Sequence, residues 1–270
     1  MSRSICIVCK RKRERYKMIN YGQHWVCASC AVDQGAGIPD RGDKIKVLNL
    51  YAGVGGNRFL WPGILDVTAV EINPQVAAEY KTNFPGDNLV IADAHKYLLN
   101  NYKKFDIIWS SPPCQTHTKM NYIQEKKRYA DMSLYQEIIL LHSFFSGKYI
   151  VENVRPYYEP LMPAQFDICR HLFWTNVPEL TDIKLPAFPP EYQGRHKGIN
   201  IMPKKVICDW LGMPAGQKNI YLTGKSSEQV YRNCVHPLLG QSIMNDVLNS
   251  MTGGNQPIAE KCDENLQISF

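Results

Sequence analysis

The chain has 270 residues, 44% of them hydrophobic, and a formal net charge of +6, enough for one substantial core and a small appended module. No stretch approaches the roughly 18 consecutive apolar residues of a membrane span, and the N-terminus lacks the apolar centre of a secretory signal, so a soluble, cytoplasmic protein with no membrane partner is expected. The nine cysteines are an odd number. They read as ligands, nucleophiles or core residues in a reducing compartment rather than as a disulfide framework.

Cys6-Ile7-Val8-Cys9 and Cys27-Ala28-Ser29-Cys30 are two C-x2-C knuckles 17 residues apart. That spacing suits a four-thiolate Zn²⁺ site, in which each tight turn presents two sulfur atoms from one side. Residues 1–40 carry too little apolar surface to fold alone, so structural zinc would supply the missing stability. Redox thiols are the other reading. Between the knuckles, Lys10 to Lys17 places six basic residues in eight positions, either a solvated charged face or a surface for a polyanion, with nucleic acid ahead of membrane. The module is thus expected to touch DNA or only to pack. Gly35 to Asp43 reads as a linker.

From Lys44 the pattern alternates. Strands are predicted at 44–50, 67–70, 88–91, 105–109 and 148–151, and helices at 74–83, opened by Asn73-Pro74, and 132–145, where Leu134, Ile138, Leu141 and Phe145 keep a helical period. Strands alternating with helices imply an α/β fold with a doubly wound, mostly parallel sheet, and ligands bind beyond the carboxyl ends of such strands. Tyr51-Ala52-Gly53-Val54-Gly55-Gly56 follows the first strand, where glycines let the backbone approach a ligand. Arg58 stands where a dinucleotide fingerprint wants glycine or alanine, which disfavours a pyrophosphate cradle. Glu71 after the second strand suits a ribose and Asp93 after the third an adenine amino group. These ends fit a nucleoside without a diphosphate, hence S-adenosylmethionine better than NAD.

The fourth strand ends in Ser110-Ser111-Pro112-Pro113-Cys114-Gln115-Thr116-His117-Thr118. The prolines stiffen the backbone that carries Cys114. An isolated cysteine is more often an inert core residue. Here Glu152-Asn153-Val154, after the fifth strand, is expected close by, so a nucleophile and an acid meet above the nucleoside crevice.

The glycine turn, Pro113-Cys114-Gln115 and Glu152-Asn153-Val154, in this order and spacing, resemble the first, fourth and sixth motifs of the DNA cytosine carbon-5 methyltransferases. Val70-Glu71-Ile72-Asn73 and Asp93-Ala94 are similar to the second and third. Arg170-His171-Leu172-Phe173-Trp174 resembles the motif whose arginine faces the target base, Leu211-Gly212-Met213-Pro214 the segment after the recognition region, and Gln229 to Val235 the last motif. The resemblance runs from about 46 to 248 and implies the S-adenosylmethionine-dependent methyltransferase fold. It implies Cys114, Glu152 and Arg170 as catalytic residues. Tyr51, Ala52, Gly53, Val54, Gly55, Gly56, Glu71, Ile72, Asp93, Ala94, Pro113 and Asn233 would bind the cofactor, and Gln115, Thr116 and Asn153 the substrate, a cytosine flipped out of double-stranded DNA. His117 is expected in a loop that closes over the base, with a role as base left open.

Three departures from the family stand out. Arg232 replaces a glycine in the last motif, Ile168 stands where a second arginine is common, and only 177–206 separates the arginine motif from the return of the catalytic domain at 207–250. So short a recognition insert, expected as an extended proline-rich loop, leaves few base contacts. Either the recognised sequence is very short, or part of the readout comes from the N-terminal module or from Lys119 to Arg128. The core domain is read as 44–176 and the tail as 251–270, in a monomeric phage or prokaryotic enzyme. The same chemistry on transfer RNA and an inactive zinc-containing DNA-binding regulator are the alternatives.

Overall fold

The computed structural model describes residues 44–187 (except 120 and 122–127), 203–214 and 227–252, with four short strands in the first 27 residues. Those strands form two antiparallel pairs. β1 (Arg3–Ile5) lies against β2 (Lys12–Glu14), and β3 (Met18–Tyr21) against β4 (His24–Cys27), with Met18 opposite Cys27. Cys6, Cys9, Cys30 and the side chain of Cys27 lie outside the described residues, and with them the expected zinc site. Among the described residues there is no cluster of three or more potential metal ligands.

The main domain is built on a seven-stranded sheet. Its strands are β5 (Lys46–Leu50), β6 (Asp66–Glu71), β7 (Asn88–Ile91), β8 (Ile107–Ser110), β9 (Lys148–Val154), β10 (Phe166–Ile168) and β11 (His171–Thr175), in the order β10-β11-β9-β8-β5-β6-β7. The five strands from β5 to β9 are parallel, and β11 runs antiparallel to both its neighbours. The parallel strands match the sequence reading to within a few residues. The β10–β11 hairpin was not foreseen.

Helices cover both faces. Val47, Val67, Ile107, Trp109 and Ile150 point to one side, where Leu239, Ile243 and Val247 of α6 (Pro237–Thr252) pack on them. Leu48, Leu50, Ile108, Tyr149 and Val151 alternate to the other side, against Leu98 of α2 (Ala94–Asn101) and Leu134, Ile138 and Leu141 of α3 (Ser133–Phe144). Burial on two faces explains why these strands are near-continuous apolar runs. Each such side chain removed from water contributes about 1.5–3 kcal/mol.

α1 (Pro74–Asn83) starts where expected, because the Asn73 side chain accepts from the backbone N–H of Gln75 and Val76 and proline occupies the first turn. With α4 (Lys204–Leu211) and α5 (Ser227–Arg232) it flanks the glycine turn through Val54, Val76, Ile207, Leu211 and Tyr231. Within the expected insert, 177–187 has no regular structure while α4 begins at Lys204, before the expected end of the insert, and α6 extends through Thr252, two residues into the expected tail. Among the described residues no helix is long and apolar enough to cross a membrane.

Candidate active site

The carboxyl ends of β5, β6 and β7 converge through backbone-to-carboxylate bonds. Glu71 accepts from Gly53 N–H (3.0 Å) and Asn73 N–H (2.8 Å), tying the glycine turn to the end of β6. Two residues of this turn are constrained by close neighbours. Gly55 has φ +86°, and a Cβ there would lie 2.1 Å from the Phe84 ring. At Gly56 a Cβ would lie 2.6 Å from both the Cys234 Cβ and the Val235 carbonyl oxygen. The last sequence motif is thereby brought against the first, and the exposed Asn233 stands next to the turn. Ala52 and Val54 are buried. Ile72 is 66% exposed at the end of β6, an apolar side chain left open at the mouth of the crevice. Asp93 caps α2, accepting from Lys96 N–H (3.0 Å), with buried Ala94 behind it.

Arg58 is buried and already paired. Its guanidinium makes a two-pronged bond to Asp87 (2.9 and 3.0 Å), which also accepts from the Tyr80 hydroxyl at 2.8 Å, all three being buried.

Glu137 lies on α3, among the apolar positions of that helix. It is fully buried, and its carboxylate accepts from Tyr51 Oη (2.6 Å) and Ser110 Oγ (2.5 Å) and pairs with His95 Nδ1 (3.0 Å). One acid thereby joins the ends of β5 and β8 to α2. Burial first, then the Glu137 charge, drives the Tyr51 pKa far up, so its phenol stays a donor. The hydrogen bond to Glu137 raises the His95 pKa above its ordinary 6.5, with burial opposing. A raised histidine pKa contributes stability that is complete below the unfolded value and lost as pH climbs through the folded value. The stability difference between the wild type and His95→Gln is therefore expected to be full below the ordinary value of 6.5 and to fade as pH climbs above it. Urea unfolding across that range measures it. Taking the difference cancels the contributions of His117 and His236, whose pKa values burial lowers and whose sign is opposite.

The cysteine loop leaves β8 at Ser110, paired with Val151 of β9. Pro113 is exposed, and half-buried Cys114, Gln115 and Thr116 form a single 3-10 turn. Asn153 is expected from the resemblance to contact substrate, but the structure uses it as a tether. Its side chain, 2% exposed, donates to the Pro112 carbonyl (3.0 Å) and accepts from Val154 N–H. This bond sets the cysteine turn beside the end of β9, where Glu152 lies 5% exposed. His117 is not a surface loop residue. It is 1% exposed, with Nδ1 against Tyr158 Oη (2.5 Å) and its backbone carbonyl accepting from Tyr157 N–H, so it fastens the turn to the segment after β9.

Arg170 is exposed, at the tip of the β10–β11 hairpin. Cys169 and Arg170 are the two loop residues, at φ +52° and +77°, values that a two-residue hairpin demands and that glycine or asparagine usually supplies. Each costs roughly 1–2 kcal/mol for a residue with a Cβ. With Tyr51 at φ +55° they are the only non-glycine positive φ values among the described residues, and all lie at this edge of the sheet. The side chain that reaches Glu152 is that of the next residue: His171 Nδ1 is 2.5 Å from Glu152 Oε1. The signal for it was a histidine opening a strand two residues before a cross-strand partner of Glu152.

Residues 45–160 match the family described as C-5 cytosine-specific DNA methylase. A stretch of 80 residues is 40% identical to a tRNA (cytosine(38)-C(5))-methyltransferase of Spodoptera frugiperda, covering 27% of this chain and 24% of that one. A stretch of 84 residues is 33% identical to the human tRNA (cytosine(38)-C(5))-methyltransferase, covering 29% and 22%. The chain thus spans about a quarter of the length of these curated relatives. Among solved structures, a methyltransferase of Entamoeba histolytica is similar at a TM-score of 0.40 and 14% identity, over 77% of this chain and 97% of that one. The cysteine turn and Glu152 both lie within the stretch that is similar to this family.

Proposed function

We propose that this protein transfers a methyl group to carbon 5 of a cytosine in a nucleic acid, through a covalent bond between Cys114 and carbon 6 of the base. The observation that carries the reading is the Asn153 tether, which sets the cysteine turn and Glu152 side by side at the edge of the glycine turn.

The crevice fits S-adenosylmethionine. It offers the Gly53–Gly56 turn, the Glu71 carboxylate, exposed Ile72 and half-buried Asp93, and Arg58, just after the glycine turn, is already paired with Asp87. Tyr51 to Gly56, Glu71, Ile72, Asp93, Ala94, Pro113 and Asn233 would hold the cofactor, which supplies an electrophilic methyl group on sulfur. Carbon 5 of cytosine is a poor nucleophile until a thiolate adds to carbon 6. Cys114 makes that addition, and Glu152 holds ring nitrogen 3, where charge develops. Arg170, at the hairpin tip, faces the incoming base, while Gln115 and Thr116 border it. A base in a duplex must leave the stack to reach this turn.

The family description names DNA, which makes duplex DNA the first reading of the substrate. The names of the two curated relatives favour transfer RNA as the second. Cys6, Cys9, Cys27 and Cys30 remain the proposed structural zinc site, and the basic run between them the proposed phosphate contact.

Both substrates are tested with the same chemistry. Duplex DNA and transfer RNA in which 5-fluorocytosine replaces cytosine, incubated with protein and cofactor, should trap a covalent complex with one of them, because fluorine cannot leave as a proton does. Cys114→Ala should abolish the complex. No adduct with either nucleic acid, or an adduct that survives the substitution, defeats the reading.

A further inference from the structure

We propose that His171 is a positioning residue for the reaction, holding Glu152 in the orientation that its work on the base requires. The inference rests on the proposed function and deepens it.

The β10–β11 turn has two residues, so the register is fixed: Ile168 faces His171, and His171 faces Val154. Phe173 is the cross-strand partner of Glu152, and His171, two residues earlier on the same face, meets the carboxylate diagonally. The His171 side chain is 18% exposed and that of Glu152 7%, so the pair sits at the floor of the opening with little solvent screening. The Phe173 ring, 6.4 Å from the imidazole, backs it. A carboxylate this buried needs a partner, and the family resemblance would have supplied a permanent cation from Arg170. That residue is exposed at the tip, and the neighbouring cation Arg155 is bonded to Asp167 (2.9 and 2.7 Å). The Glu152 bond falls to a histidine.

With its proton on Nδ1, His171 donates to Glu152 Oε1 and leaves Oε2 for the base. As the sulfur–carbon 6 bond forms, the electron pair of the carbon 5–carbon 6 double bond shifts toward carbon 4 and the charge reaches nitrogen 3. The Glu152 carboxyl proton moves to nitrogen 3 and the carboxylate left behind accepts from His171. Carbon 5 then takes the methyl group from the sulfonium, its proton is lost to water, and as the sulfur–carbon 6 bond breaks to release the thiolate nitrogen 3 returns its proton to Glu152. His171 itself gains and loses nothing.

The test measures methyl transfer from S-adenosylmethionine to two probes, unmethylated duplex DNA and bulk transfer RNA. His171→Phe, which removes the donor, is expected to lower kcat on the order of 10²-fold, the cost of about 1 Å of misplacement, with the cofactor KM unchanged. His171→Asn keeps a donor near the Nδ1 position and should restore most of the rate. In a Glu152→Gln background His171→Phe should cost almost nothing more, because both act through one group. If His171→Phe does not fold, His171→Ala takes its place against His171→Asn. An unchanged kcat, an asparagine no better than phenylalanine, or losses that multiply would overturn the inference while leaving the proposed function intact. Wild-type protein that methylates neither probe ends both.

Discussion

Glu152→Gln is expected to lower kcat by about 10²- to 10⁴-fold, the usual worth of a positioned acid or base, while the cofactor KM stays near that of the wild type. The substitution keeps the shape of the side chain and a hydrogen-bond partner for His171 Nδ1. What it removes is a group able to release and recover a proton. Most of the proposed cofactor residues follow β5, β6 and β7, where Glu71 accepts from Gly53 and Asn73 and Glu152 takes no part, which is why KM should not follow. Steady-state methyl transfer separates the two constants. A parallel rise in KM would mean that Glu152 supports the cofactor crevice instead of the base.

Asp87→Ala is expected to be the most damaging single change to stability outside the site, at about 3–5 kcal/mol. It leaves the buried Arg58 guanidinium without its carboxylate and the Tyr80 hydroxyl without its acceptor. Burial, the largest cause of the raised Tyr80 pKa, persists in the variant and opposes ionisation of the phenol in place of the lost carboxylate. Urea unfolding gives the loss directly. Replacing both partners by apolar residues, Arg58→Met with Asp87→Leu, should recover much of it, since the penalty comes from a charge stranded without its partner. A loss under about 1 kcal/mol for Asp87→Ala would show that water reaches the arginine.

Much of the parallel sheet was legible because these strands are buried on both faces and read as apolar runs, and because Asn73-Pro74 marks a helix start chemically. The cysteine turn, the glycine turn and Glu152 were legible as ordered motifs. What escaped was set by tertiary packing. Glu137 lies within an apolar helical stripe, and only the fold reveals the hydroxyls of Tyr51 and Ser110 converging on it. The β10–β11 hairpin has Cys169-Arg170 at its turn, so the Asn-Gly or Asp-Gly signal was missing. Asn153 and His117 looked like substrate-facing residues because they flank the reactive ones. Burial converts them into fasteners.

The direction of β11 has a consequence for how the site can vary. Five parallel strands deliver side chains to the reactive edge from their last residues, where loops are free to lengthen. β11 runs the other way and delivers its first residue, His171. Had this strand been parallel, its opening residue would lie at the far edge of the sheet, roughly 14 Å away at the usual rise per residue. The reversed strand also means that the residue beside Glu152 is chosen by a two-residue turn with no slack. Inserting one residue at Cys169-Arg170 while the turn kept two residues would move β11 along by one and turn every side chain to the opposite face, setting a former loop residue at the place of the imidazole.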